Sequence, residues 1–248
     1  MNILLVNDDG IDSPNLVLLA EMTKPFGRVT VVAPETQCSA MSQHITVKGG
    51  LTLREAAFPV AETKAFTVSG TPADCVKVGL RFCMEEKPDY IFSGINMGIN
   101  TGFDICYSGT AAAALEGAMA GIPSIAWSTV LNGDMGATKQ FFPEICKTLL
   151  ERKPKRGHIW NVNFPGIPAG ECRGVLYDRY PAPVAHYGDD YIPEKRADGS
   201  LFLDTVPQMN RTAEEGTDLA AVMDGYVSVG DYFNAVICYR EHQGIEGR

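Results

Sequence analysis

Short aliphatic runs alternate with helix-length segments through the first two-thirds of the chain, and that alternation constrains the fold most. Residues 2–7, N-I-L-L-V-N, are apolar almost without a break, as a strand covered on both faces is. The loop D-D-G-I-D-S follows, then Pro14 at a first helical position and an apolar stripe of Leu16, Leu19 and Ala20. Further strands are expected at 28–33, 65–69, 90–93, 124–128 and 159–163, with helices at 72–84, 108–121 and 139–151. Strand–helix alternation with short connections implies an α/β fold, a mostly parallel sheet doubly wound with helices on both faces.

The character changes after Pro165. Six prolines fall between 165 and 207, and only two strands are expected there, at 175–178 and 201–206. A short helix at 218–223 and a strand at 226–229 come next. We divide the chain into an α/β catalytic core, 1–165, and a β-rich C-terminal extension, 166–244, packing on the core or on a partner subunit. Ile245-Glu246-Gly247-Arg248 spells a protease site of the kind placed beside a tag, so 245–248 is set aside as a tag remnant.

At 248 residues, roughly 70–75% of the unfolded surface can be buried, so no disulfide or metal is needed merely to fold. Thirty Asp and Glu outnumber 21 Lys and Arg, a net charge of −9. That balance argues against a nucleic acid polymer or an anionic membrane as partner, since both repel it. A small phosphorylated substrate is compatible, held by local donors or a metal. The seven cysteines are scattered and form no C-x-x-C, which fits a reducing compartment. The first residues lack a basic n-region and read as a strand rather than a leader, so a cytoplasmic location is expected.

In open α/β sheets reactive groups gather at the carboxyl ends of the strands. The first strand ends in Asp8-Asp9, the second in a loop with Ser39 and Ser42, and the strand at 90–93 in G-I-N-M-G-I-N-T-G. Two carboxylates about 5 Å apart repel by roughly 3 kcal/mol at an effective dielectric near 20. A bound cation offsets that, and Mg²⁺ or Mn²⁺ prefers oxygen ligands of this kind. The alternative is that Asp9 or Asp12 caps the following helix while Asp8 is solvated. In 94–102, Gly94, Gly98 and Gly102 let backbone amides approach an anion, while Asn96 and Asn100 offer neutral oxygens and amides; a plain flexible turn is the competing reading. Y-S-G-T at 107–110 opens the Ala-rich helix. Ser108 or Thr110 caps it, and the same helix end can hold phosphate. The four histidines show no zinc spacing, no G-x-S-x-G elbow is present, and no G-x-G-x-x-G follows the first strand. Glu214, Glu215 and Asp218 read as capping and solvated charge.

N-D-D-G-I-D-S-P, S-G-T-P-A-D-C-V, S-G-I-N-M-G-I-N-T-G, Y-S-G-T and N-V-N-F-P occur in series, followed by E-G-T-D-x-x-A-x-x-x-G-Y-V-S-V at 215–229. Together they resemble the survival protein SurE family of metal-dependent nucleotidases. The resemblance implies a Rossmann-like core with a C-terminal arm exchanged between subunits in a homodimer or dimer of dimers. It implies hydrolysis of nucleoside 5′- and 3′-monophosphates, and of short polyphosphate. It implies one divalent cation per subunit, Mg²⁺ or Mn²⁺, on Asp8, Asp9, Ser39 and Asn96. Phosphate falls to Ser108, Gly109 and Thr110, with Asn100 assisting. Asp8, Asp9 and Asn96 are then the catalytic set, Asp9 orienting or deprotonating the attacking water. The chain departs from the family at Ala40, where Gly is usual, at the alanines 111–114, and past Val229. A non-catalytic nucleotide-binding or interaction protein is the rival expectation.

Overall fold

A computed structural model describes residues 1–234. The end of the extension expected at 166–244, and the tag remnant 245–248, lie outside the described residues. The strands are β1 (Asn2–Val6), β2 (Arg28–Pro34), β3 (Leu53–Glu55), β4 (Lys64–Val68), β5 (Tyr90–Met97), β6 (Ser124–Thr129), β7 (His158–Phe164), β8 (Val175–Arg179), β9 (Tyr187–Lys195), β10 (Leu201–Met209) and β11 (Val227–Phe233). The α-helices are α1 (Pro14–Thr23), α2 (Pro72–Val78), α3 (Gly109–Met119), α4 (Gly136–Glu151) and α5 (Asp218–Met223).

Nine strands form one sheet in the order β3-β4-β2-β1-β5-β6-β7-β11-β8. From β4 to β7 all neighbours are parallel. β3 pairs antiparallel with β4, and β11 antiparallel with β7. The sheet therefore runs on past Pro165, because β11 and β8 add to its edge. The hairpin β9–β10 stands as a separate two-stranded sheet.

The side chains of β1 explain its unbroken apolar run. Ile3 and Leu5 join the cluster under α1 and α4, with Leu16, Leu19, Phe142, Ile145 and Trp127. Leu4 and Val6 point to the other face and meet Cys75, Val76 and Ala113 of α2 and α3. Each fully buried Leu or Ile here contributes roughly 1.5–3 kcal/mol. On α3 the alanines 111–114 are all buried, and small side chains let the helix lie close on β5 and β6. Gly117 completes the approach: a Cβ there would sit 2.7 Å from Ile91 Cδ1.

Several boundaries differ from expectation. The helix expected over 72–84 is α-helical only to Val78 and continues as a wider turn, Gly79–Cys83. α4 begins at Gly136, ahead of Lys139. β5 runs on from Ser93 to Met97, with a register shift against β6 between Ser93 and Asn96. No helix among the described residues is long and apolar enough to cross a membrane.

Candidate active site

β1 leads to β2 on one side, while β5, its other neighbour, leads to β6 on the opposite side. The gap between β1 and β5 is thus the topological switch point, where open α/β sheets hold their ligands. Asp8 leaves the sheet there from β1, and Asn96 sits at the irregular end of β5. Gly10, at φ 95°, makes the turn after Asp9, and Asn7 Nδ2 closes it by donating to the Gly10 carbonyl at 2.8 Å.

The loop after β2 is tied down at two points. Cys38 N–H donates to the Asp8 carbonyl at 2.7 Å. Ser42 donates its N–H to the Tyr107 carbonyl at 2.9 Å and its hydroxyl to the Cys106 carbonyl at 2.8 Å. Ser39 lies between these ties and opens onto a cavity of about 560 Å³. The spacing alone left Ser39 and Ser42 equal; the structure engages Ser42 in anchoring the loop.

Five of the expected residues line that one cavity: Asp8, Ser39, Asn96, Asn100 and Ser108. The other three stand just behind it. Gly109 lies against Asp8, where a Cβ would come within 2.9 Å of Asp8 Cβ. Thr110 is fully buried; its hydroxyl donates to Asp8 Oδ1 at 2.6 Å and its backbone N–H also reaches the Asp8 carboxylate. The Asp9 carboxylate accepts from the Met97 N–H and from the Gln37 side chain. Ser108 is the N-cap of α3, its Oγ accepting from Ala111 N–H at 3.0 Å. The Ala112 N–H bonds the Ser108 carbonyl. Of the first-turn amides, that of Gly109 remains for a ligand.

Asp8 is 4% exposed, and burial pushes its carboxyl up to about 6; the bond from Thr110 opposes this and neighbouring Asp9 reinforces it. Burial also raises Asp9. Neither Asp9 nor Asp12 caps α1: the N-cap is Ser13, with no side-chain cap bond, so the capping alternative fails.

Sequence reasoning missed the supports of Asn100. Its N–H donates to Asn163 Oδ1 at 2.7 Å, its carbonyl accepts from Asn161 and Asn163 Nδ2 at 2.8 and 3.1 Å, and its own Nδ2 donates to Ser128 Oγ at 2.8 Å. Two asparagines at i and i+2 on an otherwise apolar strand share a face, which is a readable signal. Also missed were Asp104, in the helical turn Gly102–Cys106, and Tyr187 and Asp189 of β9, which complete the cavity wall. Asp104 accepts from the N–H groups of His186 and Tyr187, and the Tyr187 hydroxyl accepts from Ile99 N–H. Asp218, expected as solvated charge, is 3% exposed and accepts from the N–H groups of Gly102, Ala182 and Leu219. Thr217 takes the capping role instead.

Among the described residues no lysine or arginine lines this cavity, whereas three aspartates do. Among the described residues no group of three or more His, Cys, Asp or Glu gathers as a metal cluster. A cation here would combine the two adjacent acids with neutral oxygens. Asn96 fits: its Nδ2 donates to the Gly98 carbonyl at 2.8 Å, which leaves Oδ1 as its ligand atom.

Comparisons with known proteins identify the family and the fold. The family described as survival protein SurE matches residues 3–182. The 5′/3′-nucleotidase SurE of Klebsiella pneumoniae is 38% identical over 98% of this chain and 94% of its own length. The 5′-nucleotidase SurE 1 of Thermus thermophilus is 40% identical over 92% of this chain and 90% of its own. The crystal structure of the SurE protein from Aquifex aeolicus superposes with a TM-score of 0.82 at 35% identity, covering 99% of this chain and 98% of that one. The chain belongs to the SurE family.

Proposed function

We propose that this protein is a phosphomonoester hydrolase that cleaves nucleoside 5′- and 3′-monophosphates, using one Mg²⁺ or Mn²⁺ per subunit on Asp8, Asp9, Ser39 and Asn96. The nucleotidase activity rests on the family and on the names of its relatives. The metal rests on one observation: a cavity for an anionic substrate is walled by carboxylates and, among the described residues, carries no basic side chain. A phosphate dianion enters such a site only with a cation. The donor set is all oxygen, the chemistry that hard divalent ions prefer. When bound, the ion neutralises phosphate charge and activates water as a nucleophile.

The chain's own groups do the rest. The Gly109 amide and the Ser108 hydroxyl, at the positive end of α3, hold phosphoryl oxygens. Asn100 assists, fixed by Asn161 and Asn163 so that its position costs no reorganisation. Thr110 acts through Asp8, holding its Oδ1 toward the helix. Asp9 orients the attacking water and accepts its proton. The test is phosphate release from a panel of nucleoside monophosphates in EDTA, with Mg²⁺ or Mn²⁺ then added back. Release restored by metal supports the scheme; nucleotide binding unaffected by EDTA with no phosphate released would overturn it in favour of a non-catalytic binder.

The partner we propose is a second copy of the chain, in a homodimer or dimer of dimers with exchanged arms. The hairpin β9–β10 supports this by exposing Tyr191, Ile192, Leu201 and Leu203, apolar surface that an isolated two-stranded sheet does not bury. We place the protein in the cytoplasm: the six cysteines among the described residues are all free thiols, as a reducing compartment keeps them.

A further inference from the structure

An alkyl phosphate sets a requirement that the acids and the phosphate cradle do not meet: its leaving oxygen must acquire a proton. Breaking the ester bond puts the bonding pair on an alkoxide about as basic as hydroxide, whose parent, bulk water, has a pKa of about 15.7. Proton donation by a positioned side chain contributes roughly 10²–10⁴-fold to such a step. Among the described residues no histidine, lysine or arginine lines the cavity. The side chains there that carry a hydroxyl proton are Ser39, Ser108, Tyr107 and Tyr187. Ser39 and Ser108 serve the cation and the phosphoryl group in the proposed centre, and Tyr107 is 62% exposed. Tyr187 remains.

Tyr187 is held at both ends. Its backbone N–H donates to Asp104 Oδ2 at 3.3 Å, and its hydroxyl accepts from the Ile99 N–H at 3.1 Å. Gly98, at φ 138°, makes room for it: a Cβ there would lie 3.2 Å from the phenolic oxygen. The hydroxyl thus rests on the loop between Asn96 and Asn100 of the proposed centre. A phenol keeps its proton at neutral pH, and accepting from Ile99 occupies only a lone pair. No acceptor for that proton is present among the described residues. From this geometry we propose that Tyr187 is the general acid of the reaction, giving its phenolic proton to the ester oxygen as the P–O bond breaks. The inference rests on the phosphomonoesterase reading and deepens it. The oxygen of water forms the new bond to phosphorus, and the proton it sheds passes to Asp9. The pair from the broken bond takes the Tyr187 proton, and the nucleoside leaves as an alcohol. The phenolate left behind is met by the Ile99 N–H, a donor already in place for its negative charge. The proton on Asp9 then returns to Tyr187 through solvent, restoring both groups.

p-Nitrophenolate is a stable anion at neutral pH and departs without a proton, whereas a nucleoside alkoxide does not. Tyr187→Phe keeps the ring and removes the hydroxyl. In the metal-loaded enzyme it is expected to lower kcat for adenosine 5′-monophosphate roughly 10²-fold, and kcat for p-nitrophenyl phosphate by no more than about threefold. An equal loss on both esters would mean that the hydroxyl only fixes the Ile99 loop, and no loss on either would assign the proton to another donor. Each of these overturns the inference and leaves the phosphatase reading standing. Wild type supplies a measurement that needs no variant: across a series of aryl and alkyl phosphates its kcat should depend only weakly on the basicity of the leaving group. A steep decline with basicity overturns the inference by itself. Hydrolysis of neither ester by metal-loaded wild type removes the inference and the phosphatase reading together.

Discussion

Ala40 sits at φ 54°, in the left-handed region that costs a residue with a Cβ roughly 1–2 kcal/mol. This is the position where the family usually carries glycine, and the backbone explains the preference: the loop must turn sharply to bring Ser39 beside Asp8. Ala40→Gly is expected to raise stability by about 0.5–1 kcal/mol, part of the relief being lost to the entropy of a more flexible unfolded chain. Urea titration measures it, and a destabilised variant contradicts the argument. Asp8→Asn is the more severe change. It removes charge preorganised for the reaction and should lower kcat at least ~10²-fold at saturating metal; near-wild-type turnover would count decisively against the proposed centre. Asp218 gives a pH signature. Burial outweighs its three N–H donors and raises its pKa in the folded chain. Its proton is therefore held more tightly folded than unfolded, where the ordinary value is about 3.9. The contribution to stability is full below that value and is lost as pH rises through the folded one. Asp218→Asn should make the slope of unfolding free energy against pH less negative just above pH 4, as read by denaturant titrations across pH 4–6; identical slopes would refute it.

At the level of elements, the parallel strands and their helices were legible because burial on both faces writes an unmistakable apolar run, as in β1. β3 and β9 were not. L-R-E and Y-G-D-D-Y-I-P-E-K show no alternation, because neither strand has one face turned to a core; nearly all their residues are exposed. Backbone pairing joins β9 to β10 along their whole length, and pairing leaves no mark on side-chain choice. The same distinction runs through the site. Asp8, Asp9, Asn96 and Asn100 were readable as polar groups at strand ends, whereas Tyr187, at the start of β9, and Asp104 meet only through tertiary contact between segments distant in the chain. The helix 72–84 was overrun because Gly79, which ends α2, is chosen by space rather than by propensity: a Cβ there would lie 3.2 Å from Leu4 and Val32 side chains. The strand β7 carries a prediction of its own. Asn163→Ala removes both an acceptor and a donor from Asn100 and should cost about 1–3 kcal/mol of stability. It should also slow turnover with little change in metal affinity, since Asn163 touches none of the proposed ligands; weakened metal binding instead would show that the clamp serves the cation.

For the molecule as a whole, a metal that binds only the folded chain stabilises it. At a concentration 100 times its Kd the gain is about 2.7 kcal/mol, which for a chain of this size corresponds to roughly 5–10 °C in Tm. Saturating Mn²⁺ or Mg²⁺ should produce that rise in wild type and none in Asp8→Asn, by scanning calorimetry; equal shifts in both would move the ion elsewhere. Proposed assembly is tested on the hairpin, where Ile192→Asp with Leu203→Asp should shift the sedimentation of the native oligomer toward smaller species while leaving the central sheet intact. One further consequence comes from strand order. β11, the last described strand in the chain, lies between β7 and β8, which precede it. During synthesis β8 emerges with no neighbour to join, and the sheet edge waits for a segment some fifty residues behind it, from Arg179 to Val227. A ribosome-tethered chain stopped short of Val227 should therefore be cleaved readily by protease after Phe164, and acquire resistance there only once β11 has emerged.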